Sequence, residues 1–297
     1  MKRVQVLVVI PLLTYFKRYT VIYPLIKTYD IEFQLSCFSF LCLVLAMMCL
    51  CVSYLIVDFF DRSRPVSGLD PDRGPNTSGK SFFWFATVCA VGLIPTAYLT
   101  WKTGEISILY VYFSVAIVLW LLANVYRKQM LVGNLVIAIL SALIPLTVLL
   151  DINQLQGFYG KYALIFDFAT YSIIGFALFV FLTVLVYDMI CDIAEFESDV
   201  DYDWKTLPFV MGDRFTKKVI IAIIATIIAA LFYAYIKYEI FFNTIGRLFS
   251  FFYLLFLLVI PLLFTIWKIH KASSGNDYRS AGNIIKLVIL AGFVLTC

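Results

Sequence analysis

The residues in this chain best suited to chemistry are carboxylates. Asp188, Asp192, Glu195 and Asp199 recur at i, i+4, i+7 and i+11, running straight off the end of an apolar segment. On a helix that spacing forms one stripe. Four like charges on one face repel one another, and each uncompensated carboxylate at membrane depth costs about 2.5–3.5 kcal/mol. A positive partner is therefore required. Hard oxygen donors that leave room for substrate phosphates are what magnesium takes, since it keeps some waters and binds one or two carboxylates plus phosphate oxygens. The expected partner is magnesium diphosphate. The same spacing also fits a solvated helix end at the water interface.

A second, shorter cluster contains Asp58 and Asp61, followed by Arg62, Arg64 and Pro65. Standing i, i+3, the two acids can share a metal. The stretch 62–80 that follows is rich in Pro, Gly, Ser and charge and reads as a loop. It either closes over a charged substrate or serves as a solvated connector. The clusters stand about 130 residues apart, which suggests two similar halves.

The elements that must position these groups are membrane helices. The chain is 63% hydrophobic and 14% charged, with a mean hydropathy of +0.94. Soluble domains run at roughly 45–50% apolar and about 25% charged. Crossing about 30 Å of hydrocarbon takes roughly 20 apolar residues. Runs of that kind fall at 4–26, 34–57, 81–100, 106–124, 131–150, 164–190, 219–236, 248–267 and 283–296. The expected fold is all-α, a polytopic bundle of nine transmembrane helices around a central cavity. It forms one domain over 1–297, with functional stretches at 54–80 and 187–216. The N-terminal run lacks a small-residue cleavage site and reads as a retained first helix.

The breaks after the second, fourth, sixth and eighth runs, with the N-terminus, hold fifteen of the 23 Lys and Arg. The opposite side holds five: Lys27, Lys102, Lys161, Lys237 and Arg247. That bias places the N-terminus and both acidic loops in the cytoplasm, which in a bacterium makes this an inner-membrane protein. Lys17, Arg18 and Lys286 fall inside runs and are left out of that count; Lys17, Arg18 and Asp167 are intramembrane charges, which are functional signals. Lys17 and Arg18 also fit the plainer role of snorkelling or pairing with a buried acid. A net charge of +4, spread by topology, excludes nucleic acid as a partner. The seven cysteines form neither a disulfide framework nor a metal pair.

The combination of Asp192, Glu195 and Asp199 with Lys205, Thr206, Leu207, Pro208 and Gly212 resembles the second aspartate-rich motif of the UbiA superfamily of intramembrane prenyltransferases. The stretch 54–61, with Pro71, Asp72 and Arg73, resembles the first motif. Gly133 and Asn134, and the stretch 12–24, add to the likeness, which is closest to bacterial members similar to geranylgeranylglycerol-phosphate geranylgeranyltransferase. Val57 and Pro65 depart from the first motif, standing where the family has Asn and Asp. Tyr187 and Cys191 stand where a basic residue is common in the second.

The resemblance implies transfer of a polyprenyl group from its diphosphate to a lipophilic or lipid-phosphate acceptor within the bilayer. Magnesium, the implied cofactor, is held by Asp58, Asp61, Asp188, Asp192, Glu195 and Asp199. Arg62, Arg73, Lys205 and Arg214 are the cations for the phosphates, Asn134 a further substrate contact, and Arg18 the contact for an acceptor phosphate. Tyr54 and Tyr187 offer π faces to an allylic cation. Two other outcomes fit the same fold: a membrane terpene cyclase needing no acceptor, and a non-catalytic isoprenoid-binding relative, for which Val57 and Pro65 speak. A transporter fits less well, because the acids gather at one face and not at the midplane.

Overall fold

The computed structural model describes residues 4–23, 35–62, 79–124, 129–149, 159–196, 205–238 and 244–292. In hydrocarbon every backbone N–H and C=O must find its partner within the segment, so apolar runs close as helices. The chain forms α1 (Val4–Lys17), continued by a π-turn at Arg18–Ile22, α2 (Cys37–Arg62), α3 (Gly79–Thr103), α4 (Ser107–Asn124) and α5 (Val132–Leu146). There follow α6 (Tyr159–Ala194), the short α7 (Leu207–Met211) and α8 (Asp213–Tyr238). Then come α9 (Thr244–Tyr253), joined through a second π-turn at Leu254–Val259 to α10 (Ile260–Lys271), and α11 (Gly275–Gly292). Two-residue strands, β1 (Gln129–Met130) and β2 (Lys205–Thr206), pair in parallel with Gln129 opposite Lys205.

Several hydroxyls inside these helices are satisfied locally. Thr96, Ser141, Thr183 and Thr265 each donate to the carbonyl four residues earlier, at 2.7–2.8 Å. That habit keeps polar atoms from facing lipid alone.

A helix stands at each of the nine apolar runs, but among the described residues six are long and apolar enough to cross a membrane. They are Cys37–Phe60, Gly79–Thr103, Ser107–Asn124, Asp167–Ala194, Asp213–Lys237 and Leu248–Lys271. The protein is thus an integral, multi-pass membrane protein of all-α fold. The expectation of nine spans is matched in full by these six only, because α1, α5 and α11 are shorter or more polar. α5 has 15 residues. α11 begins at Gly275, eight residues before the expected run, because a capping arrangement starts it early. Asp277 accepts from the backbone N–H of Ser274 at 3.1 Å and from its hydroxyl at 2.9 Å.

α1 packs against α2 and α5, α2 against α3, and α5 against α6, while α6 also packs on α8 and α11. Close approach is bought by small residues. A Cβ at Gly92 would stand 2.2 Å from the Tyr112 hydroxyl and 2.8 Å from the Cys49 Cβ, so this glycine is where α3 meets α2 and α4. The Tyr112 hydroxyl in turn donates to the Cys89 carbonyl at 2.9 Å. A cavity of about 320 Å³ lies between α6, α8, α9 and α11. It is lateral, and its nearest lining residue on α6, Leu182, stands six residues, about 9 Å along the helix, from Asp188.

Candidate functional site

Whether the two acidic clusters belong together depends on how α2 and α6 run, and the contacts of α1 decide it. Near the end of α1 the Lys17 ammonium donates to the Ser172 carbonyl of α6 at 2.9 Å and lies 4.6 Å from the Phe176 ring centre. The next residue, Arg18, donates to the Leu35 carbonyl at 2.6 Å and to the Tyr19 hydroxyl at 2.7 Å. Its guanidinium covers the Phe40 ring at 4.2 Å. Phe40 and Val44 of α2 join Ala169 and Ile173 of α6 in one buried cluster at this end.

From this hub the two helices run the same way. Asp58 lies eighteen residues beyond Phe40, about 27 Å, and Asp192 sixteen beyond Phe176, about 24 Å. The two carboxylate clusters therefore lie at one end of the bundle.

There the carboxylates are buried. Asp58 is 4% exposed, and Asp188 and Asp192 are 3% exposed. A solvated helix end would leave them in water, so their burial removes that alternative for these three. Asn134, at the start of α5, donates its Nδ2 to Asp192 Oδ2 at 2.6 Å, a short charge-assisted bond. Asn134 is thus placed to orient a carboxylate. Glu195 is half-buried one turn further on, at the end of the described part of this helix.

The parallel pairing of β1 with β2 brings the segment leading into α5 beside the one leading into α7. Thr206, at the N-cap of α7, is 4% exposed, and its Oγ1 is buried without a hydrogen-bond partner among the described residues. A buried orphan hydroxyl costs about 1–3 kcal/mol and calls for an explanation.

Other expected residues fall elsewhere. Arg18 is wholly buried at the hub, more than 20 Å along the helices from the carboxylates, with its guanidinium engaged by a carbonyl, a hydroxyl and a ring. The contact expected between Arg18 and an acceptor phosphate would therefore fall at this hub and not at the carboxylate end. Tyr187 is buried against α11, where a Cβ at Gly282 would stand 3.5 Å from its ring. One residue is 100° of helix, so Tyr187 turns off the Asp188–Asp192 stripe.

Tyr54 is buried near the end of α2, in the same core as Val57. Lys205 and Arg214 are exposed. Arg73 and Asp199 lie outside the described residues, and for Asp61 and Arg62 only the helical backbone is described. Among the described residues no three His, Cys, Asp or Glu side chains gather as a metal-holding group.

Lys286 belongs in the picture although the motifs do not contain it. Half-buried on α11, it lies 5.5 Å from the Tyr187 ring centre, which puts a cation beside the acidic part of α6. A lysine inside an apolar run was the available signal.

No protein-family model matches the chain, and no curated protein does. A solved structure of a digeranylgeranylglyceryl phosphate synthase, a protein of membranes, superposes with a TM-score of 0.58 at 16% identity. The match covers 97% of this chain and 92% of that one. At the level of fold, then, this chain is similar to that membrane synthase along nearly its whole length.

Proposed function

We propose that the protein transfers a polyprenyl group from its diphosphate to a lipophilic or lipid-phosphate acceptor in a magnesium-dependent reaction. In this reading all nine apolar runs cross the bilayer of a bacterial inner membrane, with the carboxylate end cytoplasmic. The observation that carries the proposal is the burial of Asp58, Asp188 and Asp192 at one end of a membrane bundle, with Asn134 holding Asp192. Carboxylates buried at this depth need cations and hydrogen-bond donors about them, and a bound magnesium would be one such cation.

The donor set suits magnesium, being oxygen throughout. Asp58, Asp61, Asp188, Asp192, Glu195 and Asp199 would hold it one or two carboxylates at a time, with phosphate oxygens completing the shell. When bound, magnesium neutralises the charge that develops on the departing diphosphate. The chain's own groups do the rest. Asn134 fixes the direction of the Asp192 carboxylate. The Thr206 hydroxyl is a donor for a phosphate oxygen, and Lys286, Arg62, Arg73, Lys205 and Arg214 supply cations around it. Tyr54 and the buried core beside it exclude water from the carbon that loses its leaving group.

The test is turnover of labelled polyprenyl diphosphates of graded length by the purified protein in lipid, supplied with lipophilic and lipid-phosphate acceptors, with and without magnesium. Product should require magnesium, and Asp192→Asn should lower its formation by at least about a hundredfold. Turnover that survives this substitution would remove the carboxylates from the chemistry.

A further inference from the structure

The lateral cavity lies toward the opposite end of α6 from the carboxylates, and what it binds is independent of the transferase reading. Its walls are aromatic and aliphatic, with Phe176, Phe179 and Leu182 from α6 facing Ile227 and Leu231 from α8. Ser250 and three tyrosines add polar atoms to that lining, and two further features set its chemistry. The first is Ser172, 8% exposed, whose Oγ is buried with no hydrogen-bond partner among the described residues.

Elsewhere in these helices Thr96, Ser141, Thr183 and Thr265 turn their hydroxyls back to the carbonyl one turn earlier. Ser172 does not, although it lines a cavity otherwise poor in hydrogen-bonding groups. The hydroxyl is closed off from the cavity as it stands, so this orphan donor reaches an acceptor that arrives with a ligand by a change of the Ser172 rotamer.

The second feature is Lys237, at the end of the span Asp213–Lys237, lining the same cavity with its ammonium 4.7 Å from the Tyr171 ring centre. Tyr171 and Tyr233, both exposed, flank it, as aromatic side chains do at a membrane interface. Ser172 follows Tyr171 in the chain. The order at this site is thus a cation at the interface, a hydroxyl donor just below it, and an apolar trough continuing into the bilayer.

We propose that this groove binds an anionic glycerophospholipid, its phosphate at Lys237, an ester carbonyl accepting from Ser172, and one acyl chain lying along α6. The match is chemical at each level. A phosphate anion suits a snorkelling lysine, a neutral ester oxygen suits a hydroxyl, and a methylene chain suits the aromatic and aliphatic walls. Gly175 keeps the trough open, since a Cβ added there would meet nothing within 4 Å.

The experiment uses the full chain in phosphatidylcholine vesicles containing, as a minor component, phosphatidylglycerol with a diazirine in one acyl chain. After irradiation, adducts are mapped by mass spectrometry. Labelling should concentrate on 171–182 and 227–237, well above that of the lipid-exposed stretch 82–94 of α3. Lys237→Gln should reduce it about fivefold, the loss expected for one interfacial cation. Gly175→Phe, which the open space tolerates, should reduce it similarly, and a phosphatidylcholine probe with the same chain should label as weakly as the Lys237→Gln protein. Even labelling across α3, α6 and α8, or labelling indifferent to both substitutions and to the head group, would mean annular lipid only and would overturn the proposal.

Discussion

Asp192 receives a 2.6 Å hydrogen bond from Asn134 while almost wholly removed from water. A bond to a buried charge is worth about 1.5–3 kcal/mol, so Asn134→Ala should lower turnover by about 10- to 100-fold, measured at saturating donor. Unchanged turnover would show that Asp192 is oriented by something else. Thr206 makes a different prediction. Its hydroxyl has no described partner, so Thr206→Val should leave thermal stability unchanged or raise it, while weakening binding of a polyprenyl diphosphate by about tenfold. A loss of stability instead would mean the hydroxyl already serves the fold.

At this scale the carboxylates were legible because charge in an apolar chain stands out. The direction in which a side chain points was not. Tyr187 and Asp188 are adjacent in sequence, yet one faces α11 and the other belongs to the stripe. The orphan states of Ser172 and Thr206 depend on neighbours that only the packed bundle supplies.

Among the elements, the apolar runs announced their helices because a bilayer permits little else. Their ends were harder to read. α11 starts early through the Ser274–Asp277 cap, a local hydrogen-bond pattern that hydropathy does not register. Contact faces between helices were equally silent, and Gly92 is the clearest case. Gly92→Leu should force α3 away from Tyr112 and Cys49, costing about 1–3 kcal/mol as overpacking does and lowering the melting temperature of the purified protein in detergent. A melting temperature equal to that of the parent would mean α3 can shift freely, against the packing described.

For the molecule as a whole, Lys17 and Arg18 act as a clasp that sets the common direction of α2 and α6. Sequence alone offered Arg18 as a phosphate ligand because it is a cation in a membrane helix. Position along the bundle assigns it to packing. Arg18→Leu should therefore lower thermal stability while leaving the KM for a lipid-phosphate acceptor unchanged in the fraction that remains folded. An acceptor KM raised by this substitution would return Arg18 to the substrate.

The same clasp is the ground for placing two clusters, 130 residues apart in sequence, at a single end. The most direct check is a double-mutant cycle on magnesium-dependent binding of an unreactive polyprenyl diphosphate analogue, using Asp58→Asn, Asp192→Asn and the pair together. Each single change should weaken binding strongly and the double variant little further, because both acids serve one bound ion and phosphate group. Independent, additive losses, or binding indifferent to either acid, would contradict a shared site.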